Sequence, residues 1–549
     1  MDILQSGWNK YGRGVFRRES SIEYSILVTP ASAEYSMSAG PLSPLHDGSH
    51  DDLQLEAEQR LLEEPTTFWK RESPHASTLR LPIQQWIVNL AIALLPSFLI
   101  TPKDKPPRKI YKTSYLDGLR GVAALFVVFH HYAITFTAIS QEGYHDETSP
   151  ETHEWLLLLP FVRVIHSGKF MVSIFFVISG YVLSYRGLKL AREGKGVELL
   201  ESLGSSVFRR WLRLHLPVIA STFLAFLLAR GDAFTGLNEG WSHEVIQKRE
   251  PLPVHMDSFG EQFWDWYYNT VALCDPMRYG AAFSSTYNIN NLWTIPVEWM
   301  GSMVVFVTVL GIANMRTWVK VAILVGLVSW CENTTRWEPA TFLCGALLAE
   351  LSLVRSAYLE LSTLPVSDEK TFRVNRSPGL LHIAPKIGWA LVFLFGIYLG
   401  SHPQNFAEHT PGYRALIAMI PSQWTLNYEW FYPPVGAMIL VLALENAPFL
   451  QRIFTTSIAQ YLGHISFSLY MLHGPILFSL SQWLVPKCMD LTGGWANGQV
   501  GFGAGMLLAA LVFVPVTVWA SDVFSRLVDE KCVRLAKVVG EKCRKPRTV

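Results

Sequence analysis

From residue 117 to residue 522 the chain repeats one pattern, an apolar run followed by a short polar gap. A helix that crosses a bilayer needs about 20 mostly apolar residues. Ten segments meet that need, near 117–139, 169–186, 213–229, 293–312, 318–332, 338–354, 387–401, 431–447, 458–482 and 501–522. The pattern predicts an all-α fold, a polytopic transmembrane helix bundle with about 10 helices. Two further runs are doubtful as spans. Residues 86–100 are short and broken by Pro96, which favours an interfacial or re-entrant segment, and 411–421 is shorter still. Length alone would suggest several soluble domains. Against that, of 549 residues 50% are hydrophobic and only 17% charged, where a soluble chain carries roughly a quarter charged residues.

Four regions follow. Residues 1–83 form a polar tail rich in Ser, Glu, Pro and Arg, without the apolar stretch of a signal peptide, and are predicted to be largely disordered. Residues 84–111 hold the short apolar segment and a basic linker, 112–522 the membrane domain, and 523–549 a basic tail. Lys and Arg cluster at 101–112, 186–213, 355–386 and after 523, whereas the alternate loops 140–168, 230–292, 402–430 and 483–500 are poorer in them. With ten helices counted from residue 117, every basic stretch falls on one side. The positive-inside bias then makes this a multi-pass protein of the endomembrane or plasma membrane, both ends of its membrane domain cytosolic. A net charge of +1 points to no nucleic-acid partner, and neither the six scattered cysteines nor the 16 histidines show a metal-binding spacing.

Charge inside a span is costly, so each intramembrane ionisable residue is a candidate for function. The first span carries Asp117, Arg120, His130 and His131. Arg120 and His131 are eleven residues apart, which puts them on one helix face within roughly 20° of each other and about 16 Å apart along the axis. His130 points about 100° away and reads as a satisfied core histidine, and Asp117 as either a cap or a catalytic group. Arg209, Arg210 and Arg213 in Phe208–Leu214 fit two readings equally, positive-inside anchoring and a phosphate clamp. Glu298 lies about a turn inside an apolar span and needs a cationic or hydrogen-bonding partner. His473 falls mid-helix with Tyr470 and Ser466 three and seven residues before it, on its own side. Ser179 and Gly180 read as packing residues. The aromatic cluster Phe263, Trp264, Trp266, Tyr267 and Tyr268 reads as an interfacial patch or as part of an acceptor site.

These phrases resemble the acyltransferase 3 family across about residues 112–522. In that family the first helix carries an arginine, ten residues and then a histidine, here Arg120 and His131, which selects His131 over His130. Residues 167–186 are similar to its second-helix signature and 208–217 to its arginine segment. Residues 291–300, NLWTIPVEWM, resemble its Trp-Thr-Leu-x-x-Glu block, with Ile295 for the usual leucine. Residues 465–476 resemble its Ser-Tyr-x-x-Tyr-x-x-His ending, with Phe467 where tyrosine is common. The polar N-terminal tail and residues 94–98 look like filamentous-fungal members.

The resemblance implies O-acyl transfer, often of acetyl, from cytosolic acyl-CoA as co-substrate to a hydroxyl of a sugar, lipid or secondary metabolite. No tightly bound cofactor or metal is expected. The expected catalytic set is His131, Arg120 and Glu298, with His131 as base; Arg209, Arg210 and Arg213 bind acyl-CoA. His473, Tyr470, Trp293 and Ser466 contact the acceptor or support the catalytic groups. The competing class is a proton-coupled transporter or lipid-binding membrane scaffold, which intramembrane charge also fits. Absence of an internal repeat counts against it.

Overall fold

The apolar runs form α-helices in the computed structural model, which describes residues 83–100, 110–137, 139–144, 154–234, 252–275, 286–288, 291–363 and 384–544. The predicted disorder of residues 1–83 falls, but for its last position, outside the described residues. In chain order the helices are α1 (Ile83–Leu94), α2 (Ser97–Ile100), α3 (Ser114–Phe136), α4 (Gly168–Arg192), α5 (Gly196–Arg230), α6 (Phe259–Cys274), α7 (Thr294–Ile312), α8 (Thr317–Asn333) and α9 (Trp337–Thr363). There follow α10 (Ala384–Gly400), α11 (Arg414–Ile417), α12 (Tyr432–Asn446), α13 (Pro448–Phe454), α14 (Ser457–Ile476), α15 (Gln482–Thr492), α16 (Gly498–Phe524) and α17 (Glu530–Lys542). Among the described residues there is no β-strand.

Among the described residues six helical stretches are long and apolar enough to cross a membrane, or seven if α12 and α13, bent by 111°, count as one span. One of the six, Ser457–Lys542, is helical almost throughout. It nevertheless turns at Gly493, Gly494 and Gly498, whose φ values of +78°, +48° and +66° suit glycine. The run 86–100 is a 12-residue helix, α1, then a break at Leu95-Pro96 and the four-residue α2. Asp522 caps α2, accepting from the Ser97 amide (2.9 Å) and hydroxyl (2.7 Å), and so pins it to the end of α16. At about 1.5 Å per residue α1 is shorter than a bilayer is thick.

Within the bundle, carboxylates on helices sit beside arginines: Glu350 with Arg192 (2.6 Å), Glu445 with Arg355 (2.5 Å), and Glu298 with Arg210. This is the arrangement that low dielectric demands, since one partner alone would be an uncompensated buried charge. Helices meet closely where glycine replaces a side chain. At the α4–α9 crossing a Cβ on Gly180 would lie 2.0 Å from the Phe342 carbonyl oxygen.

Outside the spans, the loop from α3 to α4 is held by a fully buried guanidinium. Arg163 donates to the Ser140 carbonyl (3.2 Å) and the Ser401 carbonyl (3.3 Å), just past the C-terminal ends of α3 and α10, where helix dipoles favour a cation. Burial and Arg163 push the neighbouring imidazoles down, His166 to about 3 and His402 to about 4. The amphipathic α6 lays Phe263 and Trp266 against Phe226 of α5 and leaves Trp264, Tyr267 and Tyr268 exposed. The basic segment read as a tail after 523 is helical as far as Lys542, and α17 packs on the first half of α5.

Candidate active site

The site starts from a glycine crossing. A Cβ on Gly121 of α3 would lie 2.2 Å from the Gly463 nitrogen of α14, and one on Gly463 would lie 2.4 Å from the Asp117 carbonyl oxygen. The two backbones touch here, so polar side chains along them face each other at short range. Arg120 is next to the crossing: Nε donates to Ser466 Oγ (2.9 Å), Nη2 donates to the Gly463 carbonyl (3.1 Å), and Asp117 lies 3.5 Å away. Its side chain is still 39% exposed, so this end of the seam is open.

Further along the same seam, His131 of α3 meets His473 of α14, ring centroids 5.0 Å apart at 38°. The pairing follows from the helix geometry, because Arg120 and His131 share a face and the partner helix supplies Ser466 and His473 two turns apart. His473 is fully buried. Its Nδ1 is 3.1 Å from the Leu469 carbonyl, so Nδ1 carries the proton and Nε2 presents a lone pair. That Nε2 is buried without a hydrogen-bond partner. His130 turns the other way, its Nδ1 2.8 Å from the His166 carbonyl and its ring filling the space above Gly168.

Tyr470 lies beside His473, ring centroids 5.7 Å apart. Its hydroxyl donates to the Asn291 carbonyl (2.7 Å) and lies 2.8 Å from Thr294 Oγ1, while Asn291 Nδ2 donates to the Tyr470 carbonyl. These bonds bury the start of α7 inside the bundle. One turn later Glu298 accepts from Ser179 Oγ (2.6 Å) and from Arg210 Nη2, and Arg210 Nε donates to Ser302 Oγ (2.8 Å). Arg210 is the cationic partner that a carboxylate at this depth requires.

Of the three arginines expected to act together, Arg210 parts from Arg209 and Arg213, which are one turn apart on the same side of α5. Arg210 turns inward to Glu298. Arg209 Nε returns to the Ser205 carbonyl (3.3 Å), and its aliphatic stem lies within about 3.1–3.2 Å of where a Cβ on Gly540 of α17 would stand. Arg213 lies within electrostatic reach of Asp529, as does Arg120. Trp293 meets Trp430 edge-on at 6.1 Å, and Trp430 stacks on Trp337 at 4.1 Å beneath the Lys169 ammonium. Lys169 in turn pairs with Glu429 at 2.7 Å.

Asn291, Thr294 and Ser302 do not stand out in the sequence, and Ser179, which reads there as a packing residue, donates to Glu298. Asn291 and Thr294 stand inside the NLWTIPVEWM phrase, so a signal was there; Ser179, Ser302 and Asp529 become visible only when helices pack. Among the described residues no group of three or more His, Cys, Asp or Glu is placed to hold a metal ion.

Apolar helices of spanning length that carry paired ionisable groups between them define a multi-pass membrane protein with buried polar groups. The family model for the acyltransferase domain (acyltransferase 3) matches residues 113–526. The chain belongs to the acyltransferase 3 family, and is an acyltransferase that transfers groups other than amino-acyl groups. It is similar to an O-acetyltransferase, PaAT-1, of Phomopsis amygdali, 30% identical over 81% of this chain and 87% of that protein. It is also similar to acyltransferase R4 of a Phoma species (28% identical over 79% of this chain and 96% of that protein). Acyltransferase clz18 of Cochliobolus lunatus is 26% identical over the same shares. No solved structure matches.

Proposed function

We propose that the chain transfers an acyl group, acetyl in the first instance, from cytosolic acyl-CoA to the hydroxyl of a sugar, lipid or secondary metabolite. The observation that carries this reading is the His131–His473 pair on the seam that begins at Arg120. His131 takes the acceptor hydroxyl's proton as its oxygen attacks the thioester carbonyl. The tetrahedral oxyanion collapses, the C–S bond breaks, and the imidazolium returns the proton to the CoA thiolate. His473, its ring 5.0 Å from that of His131, steadies the protonated form of its neighbour at that moment. Arg120 and Arg213 hold the CoA phosphates at the open end of the seam, Arg209 flanks them, and Glu298 fixes Arg210. Tyr470, Ser466 and Trp293 hold the neighbouring walls. The relative PaAT-1 bears an O-acetyltransferase name, which supports acetyl and a hydroxyl acceptor.

Ten crossings suit this mechanism, with Ser457–Lys542 split at its glycine turn and α8, α10 and α12 each counted as a span. Both ends of the membrane domain then face the cytosol, where acyl-CoA is supplied.

The test is His131→Ala in purified protein with labelled acetyl-CoA. CoA binding is expected to persist while CoA release falls at least a hundredfold, and His473→Ala to lose less. Equal turnover in wild type and His131→Ala, or a larger loss in His473→Ala, would remove His131 from the role of base.

A further inference from the structure

We propose that α17, the helix that follows α16, seats on the lipid surface and recognises anionic headgroups through its outward face. The proposal stands apart from the acyl-CoA reading above. The family match ends at residue 526, and a π-helical turn, Ser525–Asp529, leads from α16 into α17. One side of α17 is occupied by the protein. Ala536 is buried, Gly540 lies against the stem of Arg209 of α5, and Glu530 at its head lies 3.5 Å from His464 of α14. The other side carries Lys531, Arg534, Leu535, Val538, Glu541 and Lys542, all exposed. At 100° per residue these six positions fall within one arc of about 120°, opposite Ala536 and Gly540.

The mixture on that face selects the partner. Leu535 and Val538 stand one turn apart, 51% and 45% exposed, which water disfavours. The basic residues around them are too costly for the bilayer core. An apolar centre with a basic rim suits the level of the headgroups, where the apolar pair enters the acyl boundary and the cations meet phosphate and carboxylate groups. The face holds three basic residues and one acidic. Beyond Lys542 the sequence adds Arg544, Lys545 and Arg547 and no acidic residue, so an anionic surface is favoured over a neutral one. Arg534 lies 4.0 Å from Glu530 and Lys537 lies 3.9 Å from Glu541, exposed pairs that contribute little in water and exchange readily for lipid phosphates.

A helix of 13 residues is marginal without support, so contact with lipid shows in how often it opens. The experiment is amide hydrogen exchange across 530–542 in full-length protein, in nanodiscs of phosphatidylcholine alone and of an equal mixture with phosphatidylserine. Exchange is expected to slow at least about fivefold in the anionic discs, the contribution of one basic residue near such a surface, and added salt should reverse the effect. The triple variant Lys531→Glu, Arg534→Glu, Lys542→Glu should lose the difference between the two discs, with exchange in α3 and α14 unchanged as the check on folding. Equal exchange of the wild type in both discs overturns the proposal and leaves the face to water, to a second copy or to another part of the chain. A difference that survives the triple variant overturns it as well, because the charge would then be read elsewhere.

Discussion

Glu298 and Arg210 illustrate how far single residues could be read. An unpaired carboxylate a turn inside an apolar run is too costly to leave uncompensated, so a partner was expected. Which arginine served depended on the rotation of α5, and it is Arg210 that meets Glu298 and Ser302 of α7. The pair is nearly dry, its side chains 11% and 14% exposed. Glu298→Gln leaves Arg210 as an uncompensated cation and is expected to destabilise the protein by about 3–5 kcal/mol. Arg210→Met in the same chain should restore part of that loss, because it removes the stranded charge. Thermal unfolding of the two single variants and the double variant measures the coupling, and additive losses would rule the pairing out. The histidines follow the same logic. Spacing put His131 and Arg120 on one face, but that His473 of α14 comes to within 5.0 Å of His131 is a property of the crossing.

At the scale of elements, α3 and α14 act as one unit because Gly121 and Gly463 let their backbones touch, and every polar group of the seam takes its position from that contact. The loop between α3 and α4 is a second unit with its own chemistry. His166 and His402 are held well below the usual imidazole value, to about 3 and about 4, by burial and by Arg163 beside them. In the unfolded chain a histidine titrates near about 6.5. Between these values the unfolded chain binds more protons than the folded one, so stability falls as pH drops below about 6.5. The unfolding temperature measured from pH 7.5 down to 5 should fall accordingly, and His166→Asn with His402→Asn should flatten that slope. A slope unchanged in the double variant would assign it to other groups. The α15–α16 hairpin and the docking of α2 on Asp522 are legible only in part: the glycines at 493, 494 and 498 signal a turn, whereas the Ser97–Asp522 capping joins positions 425 residues apart.

For the whole molecule, the orientation that the basic loops imply has a direct test. An Asn-x-Ser acceptor site placed in the loop 140–168 should be glycosylated in cells, and one placed in 364–383 should not. The reverse pattern would invert the molecule and put Arg120 at the wrong face for cytosolic acyl-CoA. The sequence by itself determined the all-helical class, the positions of the ten apolar segments and the residues whose charge had to be answered, because each depends on composition and spacing within about 20 residues of chain. It also carried the family, since NLWTIPVEWM and ISFSLYMLHGPI are local phrases. Only the tertiary structure decided the partners: Arg210 for Glu298, Ser466 for Arg120, His473 for His131, and a C-terminal helix packed on α5 where composition suggested a basic tail. Lipid leaves helices equally apolar on many faces, so the sequence does not say which faces meet. Glycine contacts and paired charges make that choice, and they exist only once the helices have packed.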